Sequence, residues 1–273
     1  MIRTVTICAL IALLAEPPAM ADPLVVSLVT DDSHFPYAYL EQGRPVGIYV
    51  KIVEAVLSRM PGYEARITAL PWKRALHLTE TGEASGIFPP HYFPTVRPYL
   101  DLYSDPILPE TPVLQCNEAT LAAHGIDRKN AAWPGGYAGI TVARPMGNHM
   151  GGDELQALFE ANGITVITAG GGVIENLRAL AHGRTDCIVN DRLTVRAATA
   201  WLLKKEPALP LAAITEVAVF PVEPGYLALS GPAARHDPFR QTFLAEFNVR
   251  LRHLREDGTL DQIVEDYLKQ LTS

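Results

Sequence analysis

Residues 71–106 read PWKRALHLTETGEASGIFPPHYFPTVRPYLDLYSDP, with Arg97 fenced by Pro94 and Pro98. Trp72 to Thr81 reads as a helix that Pro71 enters at its first turn and Gly82 stops. Ser85 to Phe88 reads as a short strand. A proline fixes its own φ and pushes the residue before it toward extended backbone, so Arg97 is expected in a stiff, extended loop. A guanidinium held that way suits a planar anion such as a carboxylate, which it grips with two parallel hydrogen bonds. An ordinary surface arginine is the competing reading.

Upstream, Leu24 to Val29 is a continuous apolar run and a candidate buried strand. Thr30-Asp31-Asp32-Ser33-His34 breaks it, and Glu41 to Gly47 reads as a polar hairpin or loop. Ile52, Val53, Val56, Leu57 and Met60 fall at helical spacing before Pro61-Gly62, and Ala65 to Leu70 reads as a strand. Strand, helix, strand, helix, strand predicts a parallel-rich sheet with crossover helices. Downstream the pattern restarts. Val113–Cys116, Gly139–Ala143, Ile164–Thr168 and Cys187–Val189 read as strands, interleaved with helices around Leu155, Val173 and 191–205. The tail carries Phe239, Phe243, Phe247, Leu251 and Leu254 as one apolar stripe after an Asp237-Pro238 cap, then a last helix after Asp257-Gly258. Such a stripe needs a surface to dock on, and the first unit is the expected one.

Net charge is −7, so no basic excess points to nucleic acid. Residues 1–21 read as a secretory signal peptide: Arg3, an apolar run too short to cross a bilayer, then Ala19-Met20-Ala21 before the cut. Cys116 and Cys187 remain after cleavage. Export permits a disulfide between them, and two buried strand cysteines are the alternative. No cysteine–histidine cluster implies a metal, and no cofactor motif is present. Gly170-Gly171-Gly172 before a helix reads as a flexible connector or an anion cradle.

Five stretches in order carry a resemblance. They are Thr30-Asp31-Asp32-Ser33-His34-Phe35-Pro36-Tyr37, Gly43-Arg44-Pro45-Val46-Gly47, Thr95-Val96-Arg97 with Tyr103-Ser104-Asp105-Pro106, Leu180 to Asp191, and Leu254-Arg255-Glu256-Asp257-Gly258-Thr259-Leu260. From about Leu24 to its end the chain resembles the family 3 extracellular solute-binding proteins, periplasmic receptors for polar amino acids that serve ABC importers. The resemblance implies an α/β, two-lobe periplasmic binding protein fold (type II), two parallel-rich sheets joined by two crossing strands. Lobe 1 would be residues 22–111 and 219–273, lobe 2 residues 112–218, with crossings near 109–112 and 217–223. It implies that Arg97 binds a ligand α-carboxylate and Asp191 its α-ammonium. Trp72 would pack on the ligand side chain, and Asp31 and His34 would line that end. The loop at Gly147-Asn148-His149 would help hold the carboxylate, through Asn148. The sequence departs from the family at Pro90 and Tyr92, where serine or threonine is usual, and at Tyr49, where aspartate is usual. Pro90 keeps a carbonyl acceptor, and His91, Tyr92 and Trp72 make the cleft aromatic.

The resemblance implies a monomeric periplasmic binding protein, not an enzyme, that passes an amino acid or related carboxylate to an ABC transporter permease. An enzyme like the periplasmic cyclohexadienyl dehydratases, with Glu223 or Asp31 as the acid, is the alternative. Docking of the closed form on a separate sensor is a third. Residue by residue, plainer roles compete: Asp191 as a helix cap, Trp72 as core, His34 and His149 as solvated loop residues, Arg74 as a surface ion-pair partner.

Overall fold

The computed structural model describes residues 22–145, 151–231 and 239–272. The leader at 1–21, the Asp237-Pro238 cap and the Gly147-Asn148-His149 stretch lie outside the described residues. The apolar run at the start forms β1 (Leu24–Asp31), with Val26 and Leu28 fully buried. A small antiparallel sheet follows, β2 (Ser33–His34), β3 (Ala38–Glu41) and β4 (Arg44–Val46). Gly47 then starts α1 (Ile48–Leu57) at φ 124, and a Cβ there would collide with the Tyr37 carbonyl, so only glycine fits. Next come β5 (Tyr63–Leu70), α2 (Trp72–Thr81), β6 (Gly86–Ile87), β7 (Leu100–Tyr103) and β8 (Leu108–Glu110). Pro71 stands at the N-cap of α2 rather than inside its first turn, and Gly82 closes the helix in the left-handed conformation.

The second unit holds β9 (Pro112–Asn117), α3 (Glu118–Ala123), β10 (Thr141–Pro145), α4 (Gly152–Ala161) and β11 (Thr165–Ala169). It continues with α5 (Val173–Ala181), β12 (Cys187–Asp191), α6 (Arg192–Lys205) and β13 (Ile214–Val219). The chain returns through β14 (Glu223–Gly225) and β15 (Ala228–Ser230), then α7 (Phe239–Glu256) and α8 (Thr259–Thr272).

Two five-stranded sheets result, ordered β5-β1-β6-β15-β7 and β11-β10-β12-β9-β13. Both are mixed rather than predominantly parallel. In the first, β1 runs parallel to β5 and β6, while β15 runs antiparallel to β6 and β7. In the second, β10 runs parallel to β11 and β12, while β9 runs antiparallel to β12 and β13. The reversed strand in each sheet is the one that arrives from the other unit. It needs no crossover helix, so it enters against the direction of the βαβ strands. Between the sheets β8 and β14 pair antiparallel, with Glu110 opposite Glu223. Cys116 of β9 faces Cys187 of β12 in the ladder, and the two form a disulfide.

The tail stripe docks on the first sheet. Phe243, Phe247, Leu251 and Leu254 are fully buried in one cluster with Val26, Leu28, Ile52 and Val53. The units also touch directly: Leu193 packs on the first core, and Phe35 packs on the cluster around Leu177 and Val195. Gly172 precedes α5, and its N–H donates to Glu175 Oε2 at 3.1 Å, so a carboxylate of the helix itself fills this glycine-rich helix start.

Candidate functional site

The polar groups gather where β8 and β14 join the two sheets and where β1, α2 and the 88–99 loop end. Arg97 sits in that loop, its backbone N–H bonded to the Phe93 carbonyl at 2.9 Å. Its guanidinium carbon lies 5.7 Å from the ring centre of Trp72 and 5.7 Å from that of Phe93. Among the described residues no carboxylate pairs with it. Burial lowers its pKa, while Tyr99 and Tyr103 oppose that shift. The guanidinium is thus half-buried and stacked on two aromatic rings.

Three tyrosines continue this surface. Tyr92, 58% exposed, stands edge-on to Tyr103 at 5.0 Å, and Tyr103 stands edge-on to Tyr226 at 5.7 Å. Burial, partly opposed by Arg97, pushes the Tyr103 pKa up to about 12, so its hydroxyl stays a donor. That hydroxyl oxygen is buried and has no hydrogen-bond partner among the described residues. The Pro90 carbonyl accepts from the Tyr226 N–H at 3.1 Å, so this acceptor is committed inside the protein.

A second group lies on the strands between the sheets. Glu110 is fully buried on β8, receiving Tyr49 Oη at 2.8 Å and facing His91 Nε2 at 3.2 Å. On the other side of the imidazole, Nδ1 lies 3.0 Å from Glu223 Oε2 of β14. Glu223 Oε1 accepts from the Gly151 N–H at 2.5 Å, reaching from β14 to the start of α4. Burial opposes charge on His91, but hydrogen bonds and charges from Glu110 and Glu223 outweigh it and push the pKa up to about 9. Burial likewise works to raise the Glu110 pKa, yet its bond to His91 and the charges around it hold it below the usual carboxylate value. The imidazole is therefore a cation at neutral pH, clamped between two carboxylates.

Asp191 ends β12 and caps α6, accepting from the Thr194 N–H at 2.9 Å. It also accepts from the Thr111 N–H at 2.7 Å and from Tyr37 Oη at 2.5 Å. It is 1% exposed, and burial first, then the Glu110 charge, raises its pKa. His34 lies edge-on to Tyr37 at 5.2 Å. Asp31 accepts from the Ser33 N–H at 2.9 Å and Ser33 Oγ at 3.0 Å, closing its own turn.

The fold thus sets Arg97 against Trp72, and joins Tyr92 to the aromatic surface beside them. It places His34 near the Tyr37–Asp191 bond. Asp31 serves its local turn, and Asn148 lies outside the described residues. Sequence reasoning gave no site role to Glu110, Phe93, Tyr37 or Tyr103, although the last two stand in the stretches that carry the resemblance. Glu110 carried a signal: it is a lone acid in the proline-bounded apolar run Ile107-Leu108-Pro109-Glu110-Thr111-Pro112, where a buried acid needs partners.

Among solved structures, an ancestral arginine-binding protein bound to arginine is similar at TM-score 0.62 and 18% identity, over 89% of this chain and 97% of that one. A histidine kinase sensor domain with similarity to periplasmic binding proteins matches at TM-score 0.65 and 16% identity, over 90% of this chain and 96% of that one. The ancestral amino acid-binding protein AncCDT-1, a precursor of cyclohexadienyl dehydratase, matches at TM-score 0.61 and 19% identity, over 89% and 95%. No curated protein sequence matches the chain. The two-lobe architecture is shared with these structures. The profile of the bacterial extracellular solute-binding proteins, family 3, matches residues 26–270. By that match over nearly its whole length, the chain belongs to the bacterial extracellular solute-binding proteins, family 3.

Proposed function

We propose that this protein captures a small carboxylate-bearing solute, an amino acid or a related acid, between its lobes in the periplasm and delivers it to an ABC importer. The observation that carries this reading is Arg97. It is a partly buried guanidinium stacked on Trp72 and Phe93, with no carboxylate of the described chain against it. Burying a cation without a counter-charge is costly, and a ligand carboxylate supplies that charge when the cleft closes. Membership in the family and the amino-acid-binding neighbours support transport as the context. No helix among the described residues is long and apolar enough to cross a membrane, and residues 1–21 read as the export signal.

Thermal unfolding of residues 22–273 against a panel of amino acids, dicarboxylates and simple organic acids tests the proposal. A ligand at a hundredfold excess over its dissociation constant stabilises the folded state by about 2.7 kcal/mol. One responding carboxylate, silent in Arg97→Ala, supports the reading. A responding ligand without a carboxylate overturns it.

A second reading, an eliminating enzyme on this scaffold, draws on the acids Glu110 and Glu223 beside the cleft. Both flank a protonated imidazole and act here as counter-charges, which favours binding over proton transfer. Turnover of prephenate or arogenate, lost in Glu223→Gln, would select that reading instead.

A further inference from the structure

The anion side and the cation side of the cleft are not equally available. Asp191, the residue expected to hold an α-ammonium, already receives three donors: Tyr37 Oη and the Thr194 N–H on Oδ2, and the Thr111 N–H on Oδ1. A carboxylate offers about four lone-pair sites, and at 1% exposure the remaining one is closed to a ligand. Glu110 is fully buried between Tyr49 and His91, and Asp31 receives both Ser33 donors on Oδ1 alone. Glu223 Oε1 accepts from the Gly151 N–H, and Oε2 is buried in an ion pair 3.0 Å from His91 Nδ1. Asp191, Glu110 and Glu223 are thus each engaged inside the protein. An ammonium brought to the Asp191 position would lose its hydration without a free oxygen of Asp191, Glu110 or Glu223 to replace it.

The opposite holds for an anion. Arg97 has no carboxylate against it among the described residues, and its guanidinium carbon lies 5.7 Å from the ring centres of both Trp72 and Phe93. With them stands the exposed ring of Tyr92. Resting on the reading that the cleft takes a carboxylate solute, we propose that the ligand is an aromatic carboxylate without an α-ammonium group. Its carboxylate accepts from the Arg97 edge, and its ring lies on the aromatic surface, where edge-on and offset contacts reward a second ring. Tyr37 is then a specificity residue: its hydroxyl fills the acceptor that an amino acid would need.

Calorimetric titration with matched pairs tests this. 3-Phenylpropanoate and L-phenylalanine share ring and carboxylate and differ only by the ammonium. Hexanoate and L-norleucine form the aliphatic pair. The deaminated aromatic acid is expected to bind at least about tenfold more tightly than the other three. That binding should be lost in Arg97→Ala. An amino acid that binds as tightly as its deaminated partner, with the binding lost in Arg97→Ala, overturns this inference and leaves the proposed function standing. Preference for hexanoate overturns the aromatic assignment. No binding by any of the four, nor by the wider panel, overturns both.

Discussion

Replacing His91 by glutamine tests the clamp between the lobes. The glutamine side chain retains hydrogen-bonding capacity but carries no charge at any pH. In the wild type, the imidazole pKa of about 9 stands above the ordinary 6.5. That gap corresponds to about 3 kcal/mol of folded-state preference for the protonated ring. The side chain is only 17% exposed, so solvent screening removes little of it. Because the folded pKa is raised, the contribution is complete below about pH 6.5, declines between 6.5 and 9, and is gone above that. Urea unfolding of residues 22–273 at pH 6.0, 7.5 and 9.5, without reductant, gives the stability of each form. The stability advantage of the wild type over His91→Gln should shrink by about 3 kcal/mol across that window. An advantage that stays constant to within about half a kcal/mol would refute the reasoning, because His91 would then not be titrating between its carboxylates.

Other parts of the structure give independent expectations. The Cys116→Ser/Cys187→Ser protein reopens a cross-link spanning a sequence separation of 71, and should lose about 2–4 kcal/mol in the same urea assay. Phe247→Ala empties a fully buried site where α7 meets the first core, and should cost about 3–5 kcal/mol. Gly225→Ala would drive a Cβ into the Tyr49 hydroxyl and to 3.0 Å from Pro89 Cβ. It should lower the thermal midpoint and, by moving Tyr49 off Glu110, weaken ligand binding measured by titration.

The regular elements were legible because their signals are local. Gly82 stops α2, the phenylalanine stripe of α7 repeats at helical spacing, and the apolar run at Leu24 becomes the buried β1. The short strands β7, β8, β14 and β15 were not. Three to four residues carry no periodicity, and their pairing joins positions more than a hundred residues apart, such as Glu110 and Glu223. The same distinction divides the site. Arg97 announced itself through Pro94 and Pro98, which act within the loop. The filling of Asp191 by Tyr37 did not, because a contact across 154 residues leaves no trace in either neighbourhood. The substitution of Tyr49 for the usual aspartate was visible as a departure. Its meaning became readable only once Glu110 stood 2.8 Å from the hydroxyl.

The central claim is that Arg97, held between Trp72 and Phe93, is the anchor for a ligand carboxylate. Its most direct test is the affinity of one responding carboxylate for three proteins: the wild type, Arg97→Ala, and Arg66→Ala, which removes an equal charge from the exposed side of β5. Losing a charge-assisted, two-pronged contact in a partly buried site should weaken binding on the order of a hundredfold in Arg97→Ala. Arg66→Ala should bind as the wild type does. Equal, small losses in both variants would contradict the account, leaving Arg97 as a general source of positive potential rather than the ligand's anchor.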